Sequence, residues 1–166
     1  IQLYYRQPVL IGGLGRMFTT IELGKTFGNV PLGLLSVFPG NQSYFSIENT
    51  FSTLNYYEFV TDTYASIHIE HSFNGRFFSK LPLLRHLNWR ELVGFKGVWG
   101  EISQQNIDMN ASTINYQAPT KGFYEYSVGI GNIFKILKIE FSWRGNYKEL
   151  PGANDFVIRG GFGFHF

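Results

Sequence analysis

The stretch "HIEH" sets His68, Glu70 and His71 almost side by side. Two imidazoles and a carboxylate form the donor set of many catalytic zinc centres, provided that they converge on one point. Ser66 and Ser72 flank the stretch, and Asn55 precedes it. By residue type alone, these supply a nucleophile, a base and an orienting group for hydrolysis. The strings "IGGLG" and "VGIGN" have the composition of phosphate-cradling loops. A last set is ionic: Lys138, Glu140, Arg144 and Arg159 lie late in the chain, with Lys96 and Glu70 upstream.

Each chemistry makes a demand on the elements that carry it. Zinc needs its donors on one face, but a strand sends His68 and Glu70 one way and His71 the other. A hydrolytic serine needs a strained turn, and none is visible around Ser66 or Ser72. A phosphate loop needs a helix behind it, and no helical pattern follows either glycine string. We therefore expect no catalytic residues, no metal ligands and no cofactor. The ionic set reads most simply as the wall of a polar interior.

The elements themselves alternate with period two, and helical periodicity is scarce. Leu137, Ile139, Phe141, Trp143, Gly145 and Tyr147 oppose Lys138, Glu140, Ser142, Arg144 and Asn146. Tyr124, Tyr126, Val128 and Ile130 oppose Glu125, Ser127, Gly129 and Gly131. Val93, Phe95 and Trp99 oppose Arg90, Gly94 and Lys96, and Ile67, Ile69 and Phe73 oppose Ser66, His68 and Ser72. Thr19, Ile21 and Leu23 form a less tidy set, and "IQLYYRQ" is a further strand. In the final stretch Phe156, Ile158, Phe162, Phe164 and Phe166 share a face against Val157, Arg159 and His165. About seven strands result, most near the 9–11 residues with which a tilted strand crosses a bilayer.

Composition selects among the architectures that alternation allows. Aromatic residues make up 18% of the 166, with 17 Phe and 10 Tyr, yet the mean hydropathy is only -0.07. Large apolar side chains are thus interleaved with polar ones. No run approaches the length of a membrane helix. Cysteine is absent, which excludes a disulfide framework and thiolate metal sites. The net charge of +2, with no basic stripe, speaks against nucleic acid as a partner. Trp89, Trp99, Tyr124, Tyr126, Trp143 and Tyr147 gather near strand ends, as in the aromatic girdles of transmembrane barrels. A soluble β-sandwich or lipocalin-like barrel is the bland alternative. The expected fold is all-β: an antiparallel transmembrane β-barrel whose C-terminal part occupies residues 1–166.

Loop lengths orient that barrel. With the C-terminus in the periplasm, strands run over Trp89–Ile102, Phe123–Gly131, Ile136–Tyr147 and Tyr56–Phe73, and the turns near residues 74–88 and 131–135 are periplasmic. The polar segment 104–122 falls outside, and so does the long, unusually apolar loop Asn29–Phe51. Phe162, Phe164 and Phe166 form the address expected for the outer-membrane assembly machinery. The chain opens on a strand without a signal peptide, so we expect a mature or partial sequence.

The strings "LGKTFGNVPLGLLSVFPGNQSYF", "YYEFVTDTYASIHIEHSFNGRFFSKLPLLRHLNWRELVGFKGVWG" and "YSVGIGNIFKILKIEFSWRGNY", with the ending "FVIRGGFGFHF", resemble the C-terminal barrel of a Bacteroidota outer-membrane family. Its members pair an N-terminal carboxypeptidase-regulatory-like domain with a barrel of unknown function. The layout is more remotely similar to the sixteen-stranded BamA/TamA surface-antigen superfamily, of which this chain would be the last seven or so strands. In that superfamily the arginine of a long external loop meets an acidic residue inside the barrel. Here the loop tip "PGNQSYF" has no arginine, and Lys96 stands where the acid is expected.

These readings converge on a non-enzymatic integral protein of the Gram-negative outer membrane, serving envelope biogenesis, translocation or a larger complex. Its expected partners are outer-membrane lipid, the assembly machinery and envelope subunits. The alternatives are a lipid-acting hydrolase and a passive pore or anchor. We expect the long loop to tuck into the lumen, driven by Leu34, Leu35, Val37 and Phe38. Lys96 would then be held by Asn41 and Gln42 at the tip, or by a glutamate such as Glu70 or Glu22.

Overall fold

The structure, a computed structural model, describes residues 1–111 and 117–162. The alternating segments become strands. They are β1 (Gln2–Leu10), β2 (Arg16–Lys25), β3 (Ser36–Val37), β4 (Val60–Thr61), β5 (Thr63–Ser72), β6 (Arg90–Glu101), β7 (Phe123–Ile133), β8 (Leu137–Arg144) and β9 (Phe156–Phe162). Seven of them form one antiparallel sheet in the order β1-β2-β5-β6-β7-β8-β9. It is a meander interrupted once, where residues 26–62 leave the sheet and carry the β3–β4 pair. The fold is all-β, and among the described residues the sheet does not close: β1 and β9 are its two edges.

The register brings the alternation of each strand into rows. On one face Thr19 lies beside Ile69, Ile69 beside Phe95, Phe95 beside Tyr126, Tyr126 beside Trp143 and Trp143 beside Phe156. The next row runs Val93, Val128, Phe141 and Ile158. Tyr126 stacks on Trp143 with ring centroids 5.7 Å apart, and Phe141 lies nearly parallel to Phe156 at 6.4 Å. We call this the outer face. Between the strand ends it carries no charged side chain among the described residues, since Lys25, Glu91 and Glu101 all stand at or beside an end. Yet it is substantially exposed along its whole width.

The inner face is the reverse. Ser66, Ser127, Ser142, Glu125, Glu140, Arg144 and Arg159 point into it, and all are buried. The cover is the 26–62 segment. Its Phe38, Phe51, Leu54 and Phe59 pack on Tyr64, Val98 and Phe123 from the sheet, and Tyr147 and Leu150 close the margin. Phe51 sits edge-on to Phe123 at 5.7 Å and to His68 at 4.9 Å. Burying four such side chains supplies the main drive for the segment to lie on the sheet, at roughly 1.5–3 kcal/mol each.

Several boundaries differ from the sequence reading. The expected strand from Tyr56 begins only at Thr63, because residues 56–62 finish the covering segment before β5 starts. Alternation places Tyr147 on the outer face, but β8 stops at Arg144. The chain then turns at Tyr147, whose φ is 55°, and lays its ring against Phe59 at 5.2 Å. Leu34 stays exposed while Leu35 and Phe38 are buried. One short helix, α1 (Gln104–Met109), has no counterpart in the sequence reading. Phe164 and Phe166 lie outside the described residues, and Phe162 is exposed on the outer side of β9.

Candidate functional site: a polar face bound to its covering segment

The inner face is built from cross-strand neighbours of alternating sign. Lys96 on β6 lies opposite Glu125 on β7, and Glu125 lies opposite Arg144 on β8. One strand further, Glu140 lies opposite Arg159. Side chains directly opposite in an antiparallel pair are close enough to interact. Each charge therefore has a counter-charge before the covering segment arrives, which lowers the cost of burial.

The segment then completes the coordination, mainly with its backbone. The Glu125 carboxylate accepts the Ser52 N–H at 2.7 Å, the Thr53 N–H at 2.9 Å and the Thr53 hydroxyl at 2.8 Å. Lys96 Nζ donates to the Thr50 carbonyl at 2.8 Å and lies 3.5 Å from Glu125. Arg159 donates to the Asn41, Ser43 and Ser52 carbonyls. Arg144 is fully buried. It donates to the Thr53 carbonyl at 3.1 Å and to the Asn146 and Tyr147 carbonyls, forms an ion pair with Glu58, and stacks over the Phe123 ring at 5.0 Å. A planar guanidinium with several fixed donors suits such multiple recognition better than an ammonium. Ser46 Oγ donates to Glu140, which also lies 3.7 Å from Lys138.

The tip of the segment goes further, to the free edge of the sheet. Gly160 on β9 donates its N–H to the Tyr44 carbonyl at 3.0 Å and accepts from the Ser46 N–H at 2.6 Å. Phe45 forms a parallel bridge with Gly160 and stacks on Phe162 at 5.7 Å. The covering segment thus adds a short strand to the outer edge of β9. Gly40 lets the chain enter this path. A Cβ there would overlap the Leu54 and Asn55 carbonyl oxygens.

A second, smaller network ties the two ends of the segment together, and Thr26 donates its N–H to the Asp62 carbonyl at 2.7 Å. Asp62 accepts the Ser103 N–H at 2.7 Å and the Asn106 amide at 3.0 Å. Asn106, buried on α1, in turn accepts the Val30 N–H at 2.9 Å. Burial pushes the Asp62 carboxyl up, but the hydrogen bonds from Ser103 and Asn106 outweigh it and hold the group below its ordinary range.

The expected contact residues separate in this geometry. Lys96 does reach the covering segment, through Thr50, and its carboxylate is Glu125 rather than Glu70 or Glu22. Asn41 approaches Arg159 with its carbonyl, while its side chain binds the Phe45 carbonyl and Ser43. Gln42 contacts Asn55. Glu70 lines a cavity of about 230 Å³ with Arg6, His68, Lys96 and Lys138, between the segment and the sheet. Glu22 accepts from Tyr64 Oη at 2.9 Å. His68 and His71 point to opposite faces; His71 Nε2 lies 3.0 Å from the Leu14 carbonyl. Among the described residues no group of three His, Cys, Asp or Glu converges.

Glu125, Arg144 and Glu58 carry much of the site and were not singled out as contacts by sequence. The signal for the first two was their place on the polar face of strongly alternating strands. A comparison with curated proteins gives no match, and neither does one with solved structures. Residues 1–112 match the model of a family of unknown function, DUF5686, in its C-terminal domain. The chain belongs to that family.

Proposed function

We propose that the chain is the C-terminal part of an outer-membrane β-barrel, non-enzymatic, in which the 26–62 segment fills the interior instead of leaving an open pore. The outer face carries this reading. Seven adjoining strands present aromatic and aliphatic side chains to the surroundings, without a charge between their ends among the described residues. In water such a face is an aggregation surface, whereas in lipid it is the ordinary exterior of a barrel strand. The buried ionic inner face fits a lumen. The open sheet is the form expected of one part of a larger closed barrel, and the N-terminal strands and the carboxypeptidase-regulatory-like domain of the resembling Bacteroidota family supply the rest of the proposal.

The likeness to the BamA/TamA superfamily is supported by the inward segment but with the charges redistributed. Here the sheet contributes the cations together with Glu125 and Glu140, and the segment offers carbonyls, N–H groups and the Glu58 carboxylate. A role in envelope biogenesis or as an accessory subunit follows more readily than conduction, because a filled interior leaves little passage.

Two measurements test this. Single-cysteine variants of the intact protein at Phe95, Phe141 and Ile158 are expected to resist a water-soluble maleimide in membranes and to react after solubilisation and unfolding. Ready labelling at these positions in membranes would falsify the lipid-facing assignment. In planar bilayers the intact protein is expected to conduct little, and a variant lacking residues 41–53 to conduct measurably more. Equal, large conductance of both would favour a passive pore.

A further inference from the structure

The two ends of the sheet differ in charge. Around the β1–β2, β5–β6 and β7–β8 connections stand Arg16, Arg76, Lys80, Arg85, Arg90 and Lys135, with Glu91 as the carboxylate among them. Glu91 is already engaged by the Phe77 and Phe78 N–H groups. No ion pair involves these six cations among the described residues. The opposite end holds Asp62, Glu101, Asp108, Glu149 and Asp155 against Lys25, Lys121 and Lys148.

At the basic end, the β5–β6 and β7–β8 turns enclose a cavity of about 410 Å³. Arg85, Arg90 and Lys135 line it with Trp89 and Phe78. The two turns are tied together where Asn132 donates to the Asn88 carbonyl at 2.7 Å. Beside this cavity, apolar side chains project outward. Leu83 is 88% and Phe134 84% exposed, and Phe77, Leu81 and Leu87 are also exposed. Cations next to exposed apolar tips form the pattern of a surface that meets an anionic bilayer at headgroup depth.

We propose that this cavity binds the phosphate headgroup of an anionic phospholipid in the leaflet at the turn end, with Leu83 and Phe134 set among the adjoining acyl chains. Arg85, Arg90 and Lys135 supply the donors, Arg as a fork and Lys as a point charge. The indole of Trp89 sits at the same depth, where amphipathic rings are favoured. The charge at the opposite end disfavours the same lipid there, so the site also fixes which end faces that leaflet. The inference rests on the membrane reading above.

The experiment uses the intact protein in phosphatidylcholine bilayers with trace spin-labelled phosphatidylglycerol or spin-labelled phosphatidylcholine. Electron spin resonance reads the motionally restricted fraction of each lipid. The expected result is a preference for phosphatidylglycerol of about fivefold, the scale of one basic side chain near an anionic surface. It should fall towards unity in R85Q/R90Q/K135Q and persist in K25Q/K121Q/K148Q. In the unmodified protein it should fade at high salt, which supports the site without relying on any variant's folding. Inorganic phosphate at millimolar concentration should compete weakly, because it lacks the acyl chains. No preference in the unmodified protein, or an undiminished one in the triple turn-end variant, overturns the site while leaving the membrane reading intact. No restricted lipid of either kind overturns both.

Discussion

Glu125 shows at the scale of one residue how the inner face is held. Its carboxylate receives three donors from Ser52 and Thr53 and has Lys96 at 3.5 Å. Glu125→Ala removes the acceptor of two backbone N–H groups and of the Thr53 hydroxyl and leaves Lys96 without its counter-charge, while Lys96 keeps the Thr50 carbonyl and Arg144 keeps Glu58. The expected loss is about 3–5 kcal/mol in urea unfolding of the intact protein, with faster proteolysis between residues 41 and 53. Unchanged proteolysis would show that packing alone holds the segment. Asp62 gives a pH dependence. Its folded carboxyl is held below its ordinary value, so its contribution is complete above that value and is lost as pH falls through the folded one. Asp62→Asn should therefore lower stability at neutral pH and flatten the decline below pH ~4. A parallel downward shift at all pH values would contradict that assignment. The polarity of these residues was legible from alternation. Their partners were not, because Lys96 and Arg159 bind carbonyl groups, and every residue of the segment has one. Side-chain identity directed attention to Asn41 and Gln42, whereas the sheet mainly reads backbone.

At the scale of the element, the 26–62 segment combines apolar burial with backbone recognition. Phe51 touches Phe38, His68 and Phe123, so Phe51→Ala should cost about 3–5 kcal/mol. Gly40→Ala should destabilise as well, by overlap with the Leu54 and Asn55 carbonyls. Both variants should expose residues 41–53 to protease while sheet circular dichroism is retained; loss of the sheet signal in step with cleavage would make segment and sheet one cooperative unit. The strands were legible because a half-buried strand imposes strict alternation on its sequence. The apolar character of the segment was legible too, but not which residues it buries. Leu34 and Leu35 are identical in type and adjacent, and only the path of the chain puts one inside. The same holds for residues 56–62, whose aromatic content reads as strand until Phe59 is seen packed beneath β7.

For the whole molecule, the decisive contrast is between an outer face with no charge between its strand ends among the described residues and a buried ionic inner one, crossed by a basic and an acidic end. The labelling, conductance and lipid-selectivity measurements all address that arrangement. The bridge between Phe45 and Gly160 also has a kinetic consequence. Ser43 and Arg159, beside it, are separated by 116 positions in the chain. The tip cannot reach its seat until the last strand has been made and has paired with β8. Closing so long a stretch of chain is slow, and until it happens the free edge of β9 has unpaired N–H and C=O groups available to any neighbouring strand. Seating the tip is thus a late event in the maturation of this sheet, and the interval before it is when β9 is open to exchange partners.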